Sequence, residues 1–378
     1  MSKVTKLGII GCGDISNAYI ELSRLFRGIE VAACADLNMD KATAQASKFG
    51  IQAQSIQDLL DNQQVEIIVN LTIPAAHFEV SARALSAGKH VFSEKPFVLS
   101  LDEAKQLGDL AAKGGLRVGS APDTFLGAAH QHTRALVDQG VLGQVTGGTA
   151  AFMNPGMEDW HPNPDFFYQR GGGPILDMGP YYVTNLVQLL GPVRKVVGFG
   201  STPRQQRLIT SQPRHGEYVN VETPTSIRAL LEFHQGATIA LSTCWDVQSH
   251  GLREMELYGE KASLYAADPN HFGGQILVKD RNGSVELEAF DHPFSKTTWA
   301  GHDGRKVANY RTVGLADMAS AIAEGRAHRC SLELATHVID VLMSIMTSCD
   351  NGGETQTIST SCERPDALSA QEAQQLLA

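Results

Sequence analysis

Short apolar runs alternate with longer amphipathic stretches through the first third of the chain. Lys6 to Ile10, Ile29 to Ala35, Val65 to Leu71, His90 to Ser93 and Arg117 to Ser120 have the length and apolar density of buried strands. Between them, Asp14 to Phe26, Met39 to Phe49, His77 to Ala87 and Leu101 to Gly114 show helical periodicity. Strands separated by helices pair in parallel through right-handed crossovers, which predicts an N-terminal Rossmann-type, doubly wound parallel sheet.

The pattern changes after about Ala121. A helix is expected over Ala128 to Asp138. Longer alternating runs follow at Thr146 to Phe152, Arg194 to Ser201, Ser226 to Phe233, Ala237 to Trp245, Arg253 to Tyr258, Ala262 to Ala266, Ile276 to Asp280 and Ser284 to Ala289. Turn sequences such as His234-Gln235-Gly236 and Arg281-Asn282-Gly283 separate several of them, so antiparallel pairing is expected. Gly314 to Glu324 and Leu332 to Cys349 read as helices. The expected architecture is α/β followed by α+β, the second part a mainly antiparallel sheet with helices on one face. We place the domains at residues 1–122 and 123–378.

Composition narrows the class without changing the fold. A chain of 378 residues suits two domains. It is 43% hydrophobic and 19% charged with a net charge of -10, and no Lys/Arg run marks a nucleic-acid face. Cys12, Cys34, Cys244, Cys330, Cys349 and Cys362 include no C-x-x-C pair, so neither a metal site nor a redox dithiol is expected. We see no signal-peptide pattern and no apolar run of membrane-spanning length. The expectation is a cytoplasmic protein with neither nucleic-acid nor membrane partners.

Gly8-Ile9-Ile10-Gly11-Cys12-Gly13-Asp14-Ile15-Ser16 joins the first strand to the first helix. Gly11 and Gly13 meet the G-x-G-x-x-G pattern, and Ser16 takes the third position. Gly11 permits a tight turn, and Gly13 lets a pyrophosphate approach the backbone. The helix start at Asp14 and Ile15 offers free N–H groups and a positive dipole end. Asp36 follows the second strand, where a carboxylate accepts hydrogen bonds from the adenosine ribose. It repels a 2′-phosphate, and Leu37-Asn38-Met39 supplies no basic partner, so NAD is expected rather than NADP. The alternative is that Asp36 caps the next helix.

Glu94-Lys95-Pro96 should end a strand at the carboxyl edge of the sheet, where ligands of open α/β sheets bind. Together with the glycine loop, Leu71-Thr72-Ile73-Pro74 with His77, and Gly171-Gly172-Gly173-Pro174-Ile175-Leu176-Asp177-Met178-Gly179-Pro180-Tyr181, this motif resembles the Gfo/Idh/MocA oxidoreductases. These are named for glucose–fructose oxidoreductase, inositol dehydrogenase and a rhizopine catabolism protein. The resemblance spans essentially the whole chain. It implies that Lys95 lies beside the nicotinamide and that the Lys95–Pro96 peptide is cis. It also implies cofactor contacts at Gly11, Gly13, Asp14, Ile15, Asp36, Thr72, Pro74, His77, Glu94 and Lys95.

The family's second motif reads roughly G-G-G-x-x-x-D-x-G-x-H-x-x-D. Asp177 matches its first acid, Tyr181 stands where histidine is commonest, and Thr184 where the second acid would stand. Glucose–fructose oxidoreductase and the dimeric dihydrodiol dehydrogenases are similar in carrying tyrosine there. Asp177 and Tyr181 are four apart, so a helix presents both on one side. A phenol is a poor base at neutral pH, and a nearby ammonium favours its ionised form. The resemblance thus implies a catalytic set of Lys95, Tyr181 and Asp177, with the alternatives open that Lys95 itself carries the proton and that Tyr181 is a core aromatic. Asp123 and Phe125, after the last parallel strand, and Trp160, His161 and Tyr168, before the glycine run, are candidate substrate contacts alongside Lys95, Asp177 and Tyr181. Aromatic faces with polar edges suit a carbohydrate ring. His161 lacks a second ligand at metal spacing, so no metal is expected there.

The expected function is NAD-dependent hydride transfer at a hydroxyl or keto carbon of a sugar or cyclitol. The alternatives are an NAD-dependent glycosidase of the same superfamily, a reductase of keto- or anhydro-sugars, and a non-catalytic NAD-sensing regulator. Relatives usually pair through the open face of the C-terminal sheet, which implies a homodimer or homotetramer.

Overall fold

The computed structural model describes residues 4–300, 304 and 306–378. Its first part alternates as the apolar pattern predicts: β1 (Thr5–Ile10), α1 (Ile15–Ser23), β2 (Ile29–Ala35), α2 (Met39–Phe49), β3 (Gln52–Ala53), α3 (Ile56–Asp61), β4 (Ile67–Asn70), α4 (His77–Ser86), β5 (His90–Ser93), α5 (Leu101–Gly114) and β6 (Val118–Ser120). The six strands form one parallel sheet in the order β3-β2-β1-β4-β5-β6. Leu7, Ile9, Ile67, Ile68, Val91 and Phe92 are wholly buried in it, which explains runs that are apolar on both faces. Local signals set the helix ends. Asn38 accepts from Asp40 N–H at the start of α2, Ser100 accepts from Glu103 N–H at the start of α5, and Gly50 and Gly115 close these helices in the left-handed region. The missed β3 and α3 are too short to show a period.

After α6 (Ala128–Asp138) comes a nine-stranded sheet. The elements that follow α6 are β7 (Val145–Met153), α7 (Asp165–Tyr168), α8 (Gly173–Leu190), β8 (Val193–Ser201), β9 (Gln206–Leu208), β10 (Tyr218–Asn220), β11 (Ser226–Phe233), β12 (Thr238–Cys244), β13 (Met255–Gly259), β14 (Ser263–Ala266), β15 (Leu277–Asp280) and β16 (Gly283–Ser284). The chain continues through β17 (Trp299–Ala300), β18 (Lys306–Val307), α9 (Val313–Glu324), α10 (Leu332–Asp350), β19 (Gln356–Thr357) and α11 (Ala370–Leu376). The sheet order is β16-β15-β14-β13-β7-β12-β11-β8-β19, antiparallel except for the β7–β12 pair. Helices α8 and α10 cover one face. α8 packs on β11 and β12, and α10 reaches β8 through the Ser348 hydroxyl, which accepts from Gly198 N–H at 2.9 Å. β9 and β10, unforeseen, form a separate hairpin.

The chain forms two compact units: Met1–Gln131 with Asp291–Thr336 and Pro365–Ala378, and His132–Phe290 with His337–Arg364. This replaces the single boundary expected at residue 122. The first unit recovers two later segments because they satisfy its polar groups. Asp123 Oδ2 accepts from the N–H of Thr312 and Gly314, Ser120 N–H donates to Cys330 O, and Gln131 Oε1 accepts from Leu368 N–H. A second correction concerns α10. With 19 residues and a mean hydropathy of 1.3 it is long and apolar enough to cross a membrane, but half of that stretch is buried inside the fold, as in a core helix.

Candidate functional site

The glycine loop is shaped by one forbidden and one open position. Gly11 has φ 105°, and a Cβ there would lie 2.6 Å from the Leu71 carbonyl carbon and oxygen. Only glycine fits that close approach. A Cβ on Gly13 would meet nothing within 4 Å, so the space in front of it is open. Ser16 is fully buried, donates to Gly13 O at 2.6 Å and accepts from Gln45 Nε2 at 2.8 Å, which binds the loop to α2. Asp14 and Ile15 begin α1 without a side-chain cap, leaving its first N–H groups toward the loop. Asp36 does not cap α2; Asn38 does. Instead its Oδ2 accepts from Cys12 N–H at 2.8 Å and its Oδ1 from Asn38 N–H at 2.9 Å, so the carboxylate is oriented beside the loop with lone pairs remaining. An open glycine, a helix start and an anchored carboxylate fit a dinucleotide.

A second cluster fixes the turns after β4 and β5. The fully buried Asn70 donates to His77 O and Ser81 Oγ, and its Oδ1 accepts from the Thr72 hydroxyl at 2.7 Å. Pro74 opens a short 3-10 turn over Pro74–Ala76. His77 was expected to touch the cofactor, but its ring is buried, with Nδ1 2.7 Å from Pro96 O and Nε2 2.9 Å from Thr72 O. It ties the two turns together. Burial pushes the imidazole below its ordinary range, although both carbonyls and Glu94 act in the opposite sense.

Glu94 also differs from the expectation of a direct cofactor contact. Its Oε1 accepts from the Tyr19 hydroxyl and from Arg311 Nη1, each at 2.9 Å, and its Oε2 accepts from Lys95 N–H at 2.9 Å. Burial raises its carboxyl, but Arg311, Lys95 and these hydrogen bonds outweigh burial and hold it below the ordinary carboxylate range. Lys95 is half-buried, and the Lys95–Pro96 peptide is cis. Asp123 and Phe125, expected in contact with substrate, are buried in the first unit. The Asp123 carboxylate serves the start of α9, and the Phe125 ring fills the core. Burial pushes the Asp123 carboxyl up to about 6, against the pull of Arg311 and the two N–H groups.

In the second unit, α8 carries Asp177 and Tyr181. Every residue of this helix is buried except Asp177, which is half-buried. The two positions lie one helical turn apart on the same side. Gly173 starts the helix at φ 83°, against Thr223 and Pro224. Before it, His161 sits edge-on to Trp160, Phe166 and Phe167, with ring centroids 5.1–5.4 Å apart. Trp160 is 60% exposed. Tyr168 departs from the expectation of a substrate contact. It is fully buried, its hydroxyl accepts from Met157 N–H and donates to Glu158, and it packs with Ile209, Val219 and Trp245. The β9–β10 hairpin that completes this core lies far along the chain, out of reach of any local pattern. Asn70, Tyr19 and Arg311 were likewise missed, since their contacts span between 7 and 217 positions.

Two sequence models meet on this framework. An oxidoreductase family described by its NAD-binding Rossmann fold matches residues 5–121, and the GFO/IDH/MocA C-terminal domain matches residues 130–265. The chain belongs to the Gfo/Idh/MocA family. It is 31% identical over 201 residues to dTDP-3,4-didehydro-2,6-dideoxy-alpha-D-glucose 3-reductase of Actinomadura kijaniata, a match covering 51% of this chain and 58% of that one. It thus spans less than two thirds of that reductase. It is 26% identical over 298 residues to D-glucoside 3-dehydrogenase of Escherichia coli, covering 75% of this chain and 81% of that one. Levoglucosan dehydrogenase, solved with NADH and L-sorbose, shares the fold with a TM-score of 0.80 at 18% identity, over 95% of this chain and all of that one. The N-terminal unit of this Gfo/Idh/MocA protein is an NAD-binding Rossmann domain.

Proposed function

We propose that this protein is an NAD-dependent oxidoreductase acting at a hydroxyl or keto carbon of a sugar or cyclitol, in the cytoplasm. The observation that carries the reading is the preformed cradle: the open face of Gly13, the start of α1, and the Asp36 carboxylate held by Cys12 and Asn38. Gly11, Gly13, Asp14 and Ile15 would hold the pyrophosphate, Asp36 the adenosine ribose, and Thr72, Pro74 and Lys95 the nicotinamide end. The negative charge of Asp36 favours NAD over NADP. Bound NAD supplies the hydride chemistry.

The chain's own residues manage the proton and the substrate. Tyr181 accepts the proton of the substrate hydroxyl in oxidation and returns it in reduction. By the family resemblance, Lys95 would supply an ammonium that polarises the reacting oxygen and favours an ionised phenol. Asp177, the one half-buried side chain of α8, accepts a hydrogen bond from the substrate hydroxyl. Trp160 and His161, with Phe166 and Phe167, offer apolar faces and polar edges to a sugar ring. The reductase and dehydrogenase relatives act on sugar derivatives, which supports the substrate class. A second copy of the chain, docked on the open face of the nine-stranded sheet, completes the assembly as a dimer or a pair of dimers.

A panel of sugars and cyclitols, assayed for NADH appearance and in reverse for its loss, tests the reading. Net NADH release is expected and would sink the glycosidase alternative, which restores NAD within each turnover. Lys95→Ala and Tyr181→Phe should each lower kcat by about 10²–10⁴-fold while NAD affinity changes little, and the two losses should not add. Near-normal turnover in Tyr181→Phe would leave Lys95 as the proton carrier.

A further inference from the structure

We infer that Arg311 is a positioning residue for the reaction, acting on Lys95 through the buried carboxylate of Glu94. The inference rests on the role proposed for Lys95. Arg311 lies 217 positions from Glu94, yet its Nη1 meets Glu94 Oε1 at 2.9 Å with both side chains nearly buried. The Tyr19 hydroxyl donates to the same oxygen, and the guanidinium lies 5.9 Å from the Tyr19 ring. The other carboxylate oxygen holds Lys95 N–H. Glu94 therefore joins Arg311 on one side to the Lys95 backbone on the other.

The charges make Arg311 more than a brace. Glu94 and Asp123 are both buried carboxyls, Glu94 disfavours ionisation of Asp123, and Arg311 favours ionisation of both. With Arg311 present, Glu94 has a guanidinium counter-ion in addition to the Lys95 ammonium. With Arg311 removed, Glu94 would lose that counter-ion and lean more on the Lys95 ammonium. The carboxylate would then draw the ammonium toward itself or take up a proton, and either response disturbs Lys95 while leaving the glycine loop untouched.

The backbone around Arg311 supports the same assignment. Thr312 has φ 85° and ψ 1°, the one non-glycine residue in the left-handed region among the described residues, and it is β-branched. Such a conformation is unfavourable and persists where surrounding contacts over-determine it, commonly beside functional sites. Here Asp123 Oδ2 accepts from Thr312 and Gly314 N–H at 2.9 and 3.1 Å, Asn309 Oδ1 accepts from Arg311 N–H at 3.1 Å, and Tyr310 stacks on Phe294. The chain is pinned on both sides of Arg311 with its side chain directed at Glu94.

A double-mutant cycle on the full chain tests this. Arg311→Gln should lower kcat by about 10- to 100-fold and leave the NADH dissociation constant, read by fluorescence, within about threefold. Arg311→Lys, which keeps the charge, should restore most of kcat. In a Glu94→Gln background, Arg311→Gln should change kcat by less than about threefold. The acetylation rate of Lys95, followed by peptide mass spectrometry, should depart from the parent value in Arg311→Gln and return toward it in the double variant; an unchanged rate in Arg311→Gln would overturn the coupling. Multiplicative losses, or a loss of NADH affinity matching that of kcat, would overturn the assignment. If Arg311→Gln alone does not fold, the double variant, which removes both buried charges, is compared with Glu94→Gln; equal turnover supports the inference and further loss overturns it. Undiminished turnover in Lys95→Ala would instead refute the role of Lys95, a separate failure.

Discussion

A methyl group added at Gly11 meets the Leu71 carbonyl at 2.6 Å, whereas one added at Gly13 meets open space. The two glycines therefore separate folding from cofactor binding. Gly11→Ala combines a backbone clash with a φ of 105° and should lower unfolding stability by more than about 2 kcal/mol. Gly13→Val should unfold at nearly the parent temperature but weaken NAD binding by about 100-fold or more, since the new side chain occupies the pyrophosphate approach. Thermal unfolding and calorimetric titration read the two effects; a folded Gly13→Val protein with unchanged NAD affinity would remove the loop from its proposed role. These positions were legible because the chemistry is local, within a few residues of one strand end. Asp36 was legible for the same reason. The burial of Asp123 and Tyr168 was not legible because it depends on distant partners: Thr312 and Gly314 for Asp123, and the hairpin at residues 206–220 for Tyr168.

At the scale of elements, the βα alternation was readable because each buried strand is a short apolar run between amphipathic helices. Helix α8 was not readable from periodicity, since all of its residues but Asp177 are buried, leaving no polar face to set a period. The start of helix α9 depends on a distant partner: the N–H groups of Thr312 and Gly314 are satisfied by Asp123, 189 and 191 positions earlier. That cap has a pH signature. Asp123 ionises at about 6 in the folded chain, because of its burial, and near ~3.9 when unfolded. A raised carboxyl favours the folded state below the unfolded value, and this contribution disappears as pH rises through the folded value. Between pH 4 and pH 7, Asp123 should therefore remove about 2–3 kcal/mol of stability. Glu94 has the opposite sign: its depressed carboxyl adds stability above the unfolded value of about 4.3 and loses it as pH falls toward the folded value, so it touches only the acid end of that window. Asn at 123 keeps an oxygen for both N–H groups, so Asp123→Asn should flatten the stability profile between pH 4 and pH 7 in urea titrations. An unchanged slope would mean that Asp123 does not titrate there.

At the scale of the whole molecule, the nine-stranded sheet leaves several large apolar side chains exposed on the face that its helices do not cover. Ile227, Ala229, Leu231 and Phe233 of β11 point to the helix-covered face and are buried. Their neighbours point the other way: Leu230 stands opposite Val197 and Ala240, and Arg228 opposite Phe199. Leu230 is 48% and Phe199 64% exposed, and Tyr258 of β13 adds a third large exposed side chain. Scattered apolar side chains are normal on a surface, but several on one open sheet face mark a docking area. This face was expected from the family resemblance and not from the pattern of β11, whose outward positions are Ser226, Arg228, Leu230 and Glu232. A second copy presenting the same face would cover it by symmetry, each Leu230 lying within an isologous patch. Leu230→Glu combined with Phe199→Glu should therefore shift the protein to the monomer mass in sedimentation equilibrium at micromolar concentration. The circular dichroism spectrum should remain unchanged, since both side chains are exposed and their removal leaves no cavity. The two substitutions would put charge where the proposed interface needs apolar contact. A double variant that keeps the parent mass would place the interface elsewhere and leave the open face without a partner.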